Sequence, residues 1–273
     1  MAHYAPVVPI QIARILQHHN PAEDLFGGYH LILAHDVLDK PEDYRKVYDE
    51  VRRRYPDSFI ILDNSIVELG KAMEIHDLLD AAEIVNPDCI VVPDAMGDGA
   101  LTREMAKDFC NQYRLFAVRA PFVKPPLMGV LQGKTVSDCL QTYTVFGSLV
   151  GISLVSVPRI IVKQHGSRLP LLEELGGRYT FRNIHMLGFS DDLLDDITCA
   201  RLSHVRGIDS AVPVRAGLQG RELTLDAPAD YGPRGNFWEY DVMQLTTLMD
   251  STIKRNIRNV RRWIEIPIEP EGE

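Results

Sequence analysis

The sequence has few cysteines, and none of them stand close together. The four cysteines of the 273-residue chain, Cys89, Cys110, Cys139 and Cys199, form no CxxC or CxC pair. Such isolated cysteines are typical of free thiols in a reducing compartment, since zinc sites and disulfide frameworks need cysteines at characteristic spacings. We therefore expect neither a zinc site nor a disulfide-bonded fold.

Long hydrophobic runs are also lacking. No apolar stretch approaches the roughly 20 residues that a membrane-spanning helix needs. Residues 1–12 contain no basic segment followed by a long apolar one, which is the pattern of a signal peptide. These features predict a cytoplasmic protein that has no membrane partner.

Excess positive charge is absent from the chain as a whole, which has 29 basic and 38 acidic residues and a net charge of −9. This balance argues against a general nucleic-acid binder, because binding to the phosphate backbone needs clustered positive charge. One local exception lies between Asp250 and Glu265, where there is no acid. The basic residues of this segment are Lys254, Arg255, Arg258, Arg261 and Arg262.

The same region has apolar residues at helical spacing, which predict one amphipathic helix over residues 242–264. These residues are Leu245, Met249, Ile253, Ile257, Val260 and Ile264. The basic face of this helix is either a solvated surface of a closing helix or a contact for phosphate groups.

Short, continuous apolar runs alternate with helical patterns over residues 29–209. Continuous runs are typical of parallel strands that are buried on both faces. Seven strand–helix units are clear, and they favour an α/β TIM barrel of the (β/α)8 type over a doubly wound open sheet. The eighth strand is expected at residues 222–225 or 115–118.

We predict one barrel domain over residues 1–273. Residues 1–28 are an N-terminal extension, and residues 29–217 form the core barrel. Residues 218–266 supply a closing loop and the C-terminal helix, and residues 267–273 form an acidic tail.

Polar or small residues follow most of the predicted strands, namely Asp63, Asp94, Gln132, Ser153, Gly188 and Asp209. A barrel brings the carboxyl ends of all its strands to one rim, so these residues are expected to share a site. The aspartates also have a structural explanation, because an aspartate after a strand often caps the next helix. A metal-dependent barrel hydrolase that gathers His35, His185 and Asp209 is a further alternative.

Several segments resemble motifs of the tRNA-guanine transglycosylase superfamily, in the family's order over residues 59–217. The chain has LGFSDDLL (187–194) and GIDSAVPVRAG (207–217) where the family has MGVGTPEDLL and FDCVLPTRNG. It has MGVLQG (128–133), ISL (152–154) and LDNS (62–65) where the family has FGIVQGG, GGL and DSGGF. The resemblance is strongest to the short phage and bacterial members that insert 7-deazaguanines into DNA.

The resemblance implies a pentosyltransferase that works without a cofactor in a bacterial or phage-infected cell. It would exchange guanine in DNA for a 7-deazaguanine base such as 7-cyano-7-deazaguanine. Asp209 would attack the sugar C1′ and form a covalent glycosyl–enzyme intermediate, and Asp63 would act as general acid and base.

Further site residues are carried over from the family's motifs. The implied base-binding residues are Asp94, Gln132, Gly133, Ser153, Leu154, Leu187 and Gly188. The implied nucleic-acid contacts are Arg215 and, from the basic helix, Lys254, Arg255, Arg258, Arg261 and Arg262.

The chain also departs from the family's pattern. The tRNA enzymes have a CxCxxC zinc motif and a histidine after the nucleophile block, whereas this chain has no cysteine after Cys199. DNA is therefore the expected partner, and tRNA is the alternative. Ile66 and Val67 replace the aromatic region of DSGGF. A homodimer is left open as one form of assembly.

Overall fold

The structure, a computed structural model, describes residues 2–18, 25–119, 125–178, 180–181, 183–226 and 237–266. For residues 18 and 116–119, only the backbone is described. Eight strands alternate with helices along these residues. The strands are β1 (His3–Pro6), β2 (Tyr29–Leu33), β3 (Phe59–Asp63), β4 (Cys89–Val91), β5 (Leu127–Val130), β6 (Ile152–Pro158), β7 (Ile184–Leu187) and β8 (Val205–Ser210).

Most of the helices lie between consecutive strands, and several begin at residues suited to that position. Pro41 starts its helix, where its missing N–H is not needed, and the Thr135 and Asp192 side chains cap two others. The helices are α1 (Ile10–His18), α2 (Ala34–Asp39), α3 (Pro41–Arg54), α4 (Ile66–Leu69), α5 (Ile75–Val85), α6 (Gly99–Arg119), α7 (Val136–Phe146), α8 (Ile160–His165), α9 (Leu169–Gly176), α10 (Leu193–Ala200), α11 (Val212–Leu218) and α12 (Thr247–Glu265).

All seven strand ladders are parallel, in the order β1-β8-β7-β6-β5-β4-β3-β2. The first strand, β1, also lies beside β2, so the sheet forms a nearly closed ring. This arrangement confirms the α/β TIM-type barrel that the alternating pattern predicted.

Two apolar layers hold the barrel together. Side chains such as Leu31, Ile61, Val91 and Met128 alternate along the strands and fill the interior. A larger layer, which includes Ile60, Ile90 and Ile208, packs between the sheet and the surrounding helices. The interior is therefore a packed core rather than a pore, and barrels of this type bind their ligands at the carboxyl ends of the strands.

The eighth strand is not where the sequence patterns placed it. Residues 115–118 belong to α6, and residues 222–225 form no strand. The missing strand is β1, which pairs with Gly207–Ser210 of β8 in a parallel ladder. The division at residue 28 is therefore wrong, because the N-terminal segment supplies a barrel strand. A four-residue strand that ends in proline offers no apolar run to detect.

The C-terminal amphipathic helix is confirmed, but it begins later than predicted. Residues Val242–Gln244 form a separate 3₁₀ turn, and the Thr246 side chain caps α12. Ile253, Ile257 and Val260 are fully buried where α12 packs against α11, α10 and β1. The helix therefore closes the flank of the barrel next to the first and last strands.

The acidic tail, residues 267–273, lies outside the described residues, as do residues 227–236 of the expected loop. Among the described helices, none is long and apolar enough to span a lipid bilayer.

Candidate active site

A cavity of about 370 Å³ opens at the carboxyl ends of the strands. Its two sides differ in charge. On one side, Asp63 ends β3, and Glu68 and Asp94 follow β3 and β4. On the other side, Asp209 lies in β8, and the cations that follow β6 and β8 are Arg159, Lys163 and Arg215. Apolar lining is supplied by Leu31, Leu33, Val67, Met96, Val130, Leu187, Phe237 and Trp238, among others.

Asp209 points inward from the carboxyl end of β8 and is 7% exposed. Its Oδ1 accepts a hydrogen bond of 3.0 Å from the backbone N–H of Gly188. The same oxygen lies 3.0 Å from Nε2 of His185. Neither contact uses Oδ2, and the residue lines the cavity. One carboxylate oxygen is thus fixed by the protein, and the other is left for a ligand.

The Gly188 backbone is held in place from behind by a buried arginine. Gly188 has φ +71°, a left-handed conformation that glycine adopts without steric cost. The fully buried Arg168 donates to the carbonyl oxygens of Gly188 and Val157 and forms a 3.1 Å ion pair with Asp196. Arg168 therefore fixes the loop that presents the Gly188 N–H to Asp209.

Asp196 completes this support. Its Oδ2 accepts hydrogen bonds from the Ser190 backbone N–H (2.5 Å) and hydroxyl (3.0 Å). Burial raises the pKa of Asp196 to about 6, and the charge of Arg168 and the Ser190 hydrogen bonds oppose this rise. The Asp196 side chain thus connects α10 to the loop that follows β7.

Asp63 ends β3 and faces the cavity on the opposite side from Arg159. Burial raises its pKa well above the usual range, and the charges of Glu68, Asp94 and Asp209 add to the rise. A hydrogen bond of 2.7 Å from the backbone N–H of Ser65 to Oδ1 acts against it. A carboxyl group with a raised pKa can hold a proton at neutral pH and donate it.

The turn after Asp63 is strained. Ser65 has φ +60°, which is uncommon for a residue other than glycine. Its hydroxyl accepts a hydrogen bond from the backbone N–H of His35, 3.2 Å away. The turn directs Asp63 and Asn64 toward the same rim, and strained backbone of this kind tends to occur at functional sites.

Asp94 is buried and bound by two side-chain amides. Its Oδ1 accepts from Nδ2 of Asn64 at 3.0 Å, and its Oδ2 accepts from Nε2 of Gln132 at 2.7 Å. Oε1 of Gln132 accepts in turn from the backbone N–H of Gly97 at 2.9 Å. Burial raises the pKa of Asp94, while the two amide hydrogen bonds lower it. Gln132 therefore orients the Asp94 carboxyl group by connecting it to the Gly97 backbone.

Three of the predicted base-binding residues do not line the cavity. Ser153 and Leu154 lie at the amino end of β6, because that strand continues to Pro158 instead of ending near residue 154. A side chain on Gly133 would collide with Cys139 of α7, so this glycine permits close helix packing. The structure therefore does not bring these three residues to the cavity.

The other residues predicted for the pocket lie around one cavity. The residues that line one cavity are Asp63, Asp94, Gln132, Leu187, Gly188, Asp209 and Arg215. Arg215 also lies over the ring of Phe237, with its guanidinium carbon 6.0 Å from the ring centroid. These residues lie in strands, in the loops that follow strands and, for Arg215, in α11.

The basic residues of α12 lie away from this cavity. Lys254 pairs with Asp250 at 2.6 Å, and Arg255 pairs with Glu222 at 3.0 Å. Arg261 lines a second cavity at the amino end of the barrel, beside Gly27. Arg258 and Arg262 are exposed on the same helix. Contact between these residues and nucleic acid stays a prediction.

The hydrolase alternative requires three ligands around one metal ion. No cluster of three histidine, cysteine, aspartate or glutamate side chains suited to a metal is found in the described part of the chain. His185 contacts Asp209, but its other nitrogen lies 2.9 Å from the Tyr29 hydroxyl. His35 is packed edge-on against Trp238. The side-chain arrangement therefore gives this alternative no support.

Several functional candidates were not identified from the sequence. Asn64 directly follows Asp63 at a strand end, so its position was visible, but its partner was not. The sequence suggests His185 only as a metal ligand. The apolar pattern does not indicate Arg159 and Lys163, because it ends β6 before Pro158; these two residues stand one helical turn apart at the rim.

A comparison with protein-family models and a search of curated proteins found no match to this chain.

Proposed function

We propose that this protein exchanges guanine in DNA for a 7-deazaguanine base through a covalent intermediate on Asp209. The observation that carries the proposal is the pair of carboxyl groups in one cavity. Asp209 has one oxygen fixed by the protein, and Asp63 has a pKa raised by burial. A nucleophile and a proton donor in different environments are what a glycosyl transfer needs.

The proposed reaction has two balanced steps. Oδ2 of Asp209 attacks the sugar C1′ while the bond from C1′ to guanine N9 breaks, and Asp63 supplies a proton to the departing base. The incoming base then loses its N9 proton to Asp63 and attacks C1′, which releases Asp209. The covalent intermediate keeps the sugar activated between the two steps.

The Asp94 group supports recognition of a guanine-like edge. A carboxylate offers about four acceptor positions, and Asn64 and Gln132 occupy two of them. The remaining positions suit the adjacent N1–H and 2-amino donors of guanine or a 7-deazaguanine. A base without these donors would leave a buried acceptor unpaired, which disfavours its binding.

The cations at the mouth support a polyanionic substrate. Arg159, Lys163 and Arg215 line the side of the cavity that carries Asp209. Phosphates that flank the reacting nucleotide would lie there once the base has left the stack and entered the pocket. This local arrangement is compatible with the acidic net charge of −9.

The deciding experiment is incubation with single-stranded or duplex DNA and a labelled 7-deazaguanine, in parallel with tRNA. We expect the label to enter DNA and a denaturation-resistant protein–DNA adduct to form. Asp209→Asn should abolish both, and Asp108→Asn, which changes an exposed aspartate on α6, should change neither. Label that enters tRNA alone would favour the tRNA alternative. Exchange by Asp209→Asn at the normal rate would disprove the role of Asp209.

A further inference from the structure

A row of hydrogen-bonded side chains crosses the barrel interior and ends at Asp209. The Tyr29 hydroxyl, at the first residue of β2, lies 2.9 Å from Nδ1 of His185. Nε2 of His185 lies 3.0 Å from Oδ1 of Asp209. Tyr29 is 4% exposed and His185 is fully buried, so water does not substitute for either partner.

The groups at the two ends of this row determine where its protons point. The Arg206 guanidinium carbon lies 5.9 Å from the ring centroid of Tyr29, and its positive charge opposes the rise in the Tyr29 pKa that burial causes. An arginine has donors only, and a carboxylate has acceptors only. The Tyr29 proton therefore cannot bond to Arg206 and points to Nδ1 of His185, and Nε2 carries the proton that Asp209 accepts.

The protonation of Tyr29 is consistent with this direction. Burial raises the pKa of Tyr29, and the charge of Arg206 only partly offsets the effect, so the phenol keeps its proton. A proton on Nδ1 of His185 would leave the buried hydroxyl without the acceptor it now has. An unsatisfied buried donor is costly, which disfavours that state.

We propose that Tyr29 and His185 are positioning residues: Tyr29 holds His185 as the Nε2–H tautomer, which then fixes Oδ1 of Asp209 and leaves Oδ2 for attack. The role rests on the proposed function of Asp209 as the nucleophile. The orientation of a histidine ring is commonly determined in this way, by the hydrogen bond that its second nitrogen makes.

Close packing around Gly207 preserves the row. Gly207 lies beside His185 in the ladder between β7 and β8. A Cβ atom at this position would lie 2.5 Å from Cε1 of Tyr29 and 2.8 Å from the His3 carbonyl oxygen. The glycine two residues before Asp209 therefore makes room for the Tyr29 ring.

The test is Tyr29→Phe, which removes the hydroxyl and keeps the ring. Nitrogen-15 NMR of histidine-labelled protein reports the His185 tautomer, and base exchange reports kcat and KM. We expect a single Nε2–H tautomer in the wild-type protein and a mixture in the variant. We also expect kcat to fall by about 10- to 100-fold, as is typical when an outer hydrogen-bond partner is removed, with KM nearly unchanged.

Tyr113→Phe is the matched control. It also removes a buried tyrosine hydroxyl, but that hydroxyl lies on α6 and donates to the backbone oxygen of Pro125, 2.8 Å away. The His185 tautomer and kcat should stay as in the wild type. His185→Gln keeps an N–H donor of similar reach and should retain more activity than His185→Leu, which would not follow if the ring acted only as packing.

The outcomes separate this proposal from the proposed function. If the wild-type protein exchanges no base in either nucleic acid, the proposed function fails, while the NMR comparison still tests the tautomer. If exchange proceeds and Tyr29→Phe changes neither the tautomer nor kcat, the positioning role is overturned.

Discussion

The two halves of the rim differ in charge and in the surroundings that they give to an aspartate side chain. The half built by β3 to β5 gathers Asp63, Glu68 and Asp94, and burial raises the pKa of Asp63 and of Asp94. The half built by β6 to β8 presents cations around Asp209, whose Oδ1 receives two donors. The same residue type is thus placed in a proton-holding setting on one side and in a donor-rich setting on the other.

Under the proposed function, this difference separates two tasks within one cavity. The acidic half would bind the base, whose edge carries N–H donors, and the cationic half would bind the sugar–phosphate backbone. Pairs of titratable groups in contrasting environments identify acid and nucleophile roles. Substitutions in either half test this contrast. The expected effects range from a near-complete loss of turnover to a change of a few tenths of a kcal/mol in the free energy of unfolding.

After Asp209→Asn, the largest effect is expected from Asp63→Asn, which removes the proposed proton donor of the acidic half. The rate of base exchange should fall by about 10² to 10⁴-fold, the usual contribution of general acid–base catalysis. Single-turnover kinetics with labelled DNA will measure it. A rate within a factor of two of wild type would contradict the role of Asp63.

The same variant should be more stable than the wild type at neutral pH. The folded protein binds the Asp63 proton more tightly than the unfolded chain does, so the free energy of unfolding falls as pH rises above about 4. Asparagine carries no charge and avoids this loss. We expect a gain of about 1 kcal/mol in urea denaturation at pH 7, with no gain at pH 4.

Arg168→Met breaks the support behind the other half. It leaves Asp196 buried without its cation, and the free energy of unfolding should fall by about 3–5 kcal/mol. Thermal and urea denaturation will measure the loss. Adding Asp196→Leu should recover part of it, because no isolated charge then stays buried. A double variant less stable than the single one would show that the Ser190 contacts of Asp196 matter more.

Lys163→Gln weakens the cationic half alone. The KM for DNA should rise several-fold at low salt, and the salt dependence of binding should decrease by about one unit of slope, as for one lost phosphate contact. Lys254→Gln is the matched control on α12, where the lysine already pairs with Asp250. An equal effect of both substitutions would assign phosphate contacts to α12 as well.

Glu68→Gln changes the acidic half without removing its proton donor. The charge of Glu68 is one cause of the raised pKa of Asp63, so its loss should lower that pKa. If protonated Asp63 drives departure of the base, the alkaline limb of the pH–rate profile moves to lower pH. A shift in the opposite direction would contradict this assignment.

The smallest effect is expected from Ser65→Gly. Glycine relieves the cost of φ +60°, about 1 kcal/mol. It also removes the hydroxyl that accepts from the His35 N–H and increases the freedom of the unfolded chain. These contributions oppose each other, so the free energy of unfolding should change by less than about 0.5 kcal/mol in denaturation experiments.

The sequence predicted the rim best where an apolar run ends at a polar residue. Asp63, Asp94, Gln132 and Asp209 all follow such runs and reach one cavity. The pattern failed at β6, because Val155 and Val157 continue the strand beyond Ser153. An apolar run shows that a strand exists, but its last residue depends on pairing with its neighbours.

The contacts between side chains could not be predicted from local patterns. Tyr29 and His185 are separated by 156 residues, and His185 and Asp209 by 24. Arg168 gives no sign in the sequence that it will be fully buried. Inward alternation on β7 indicated that His185 could face the interior, and only the closed ring shows what it meets there.

The position of β1 has a consequence for how the protein folds. Its Ala5 lies opposite Asp209, and the Val7 N–H and Tyr4 hydroxyl both bind the Ser210 carbonyl oxygen. Tyr4 and Ser210 are 206 residues apart in the chain, so β1 cannot complete this pairing until β8 has been synthesised, and such distant pairings form slowly. Removal of residues 1–6 should therefore displace Asp209, because it removes the strand that pairs with the end of β8.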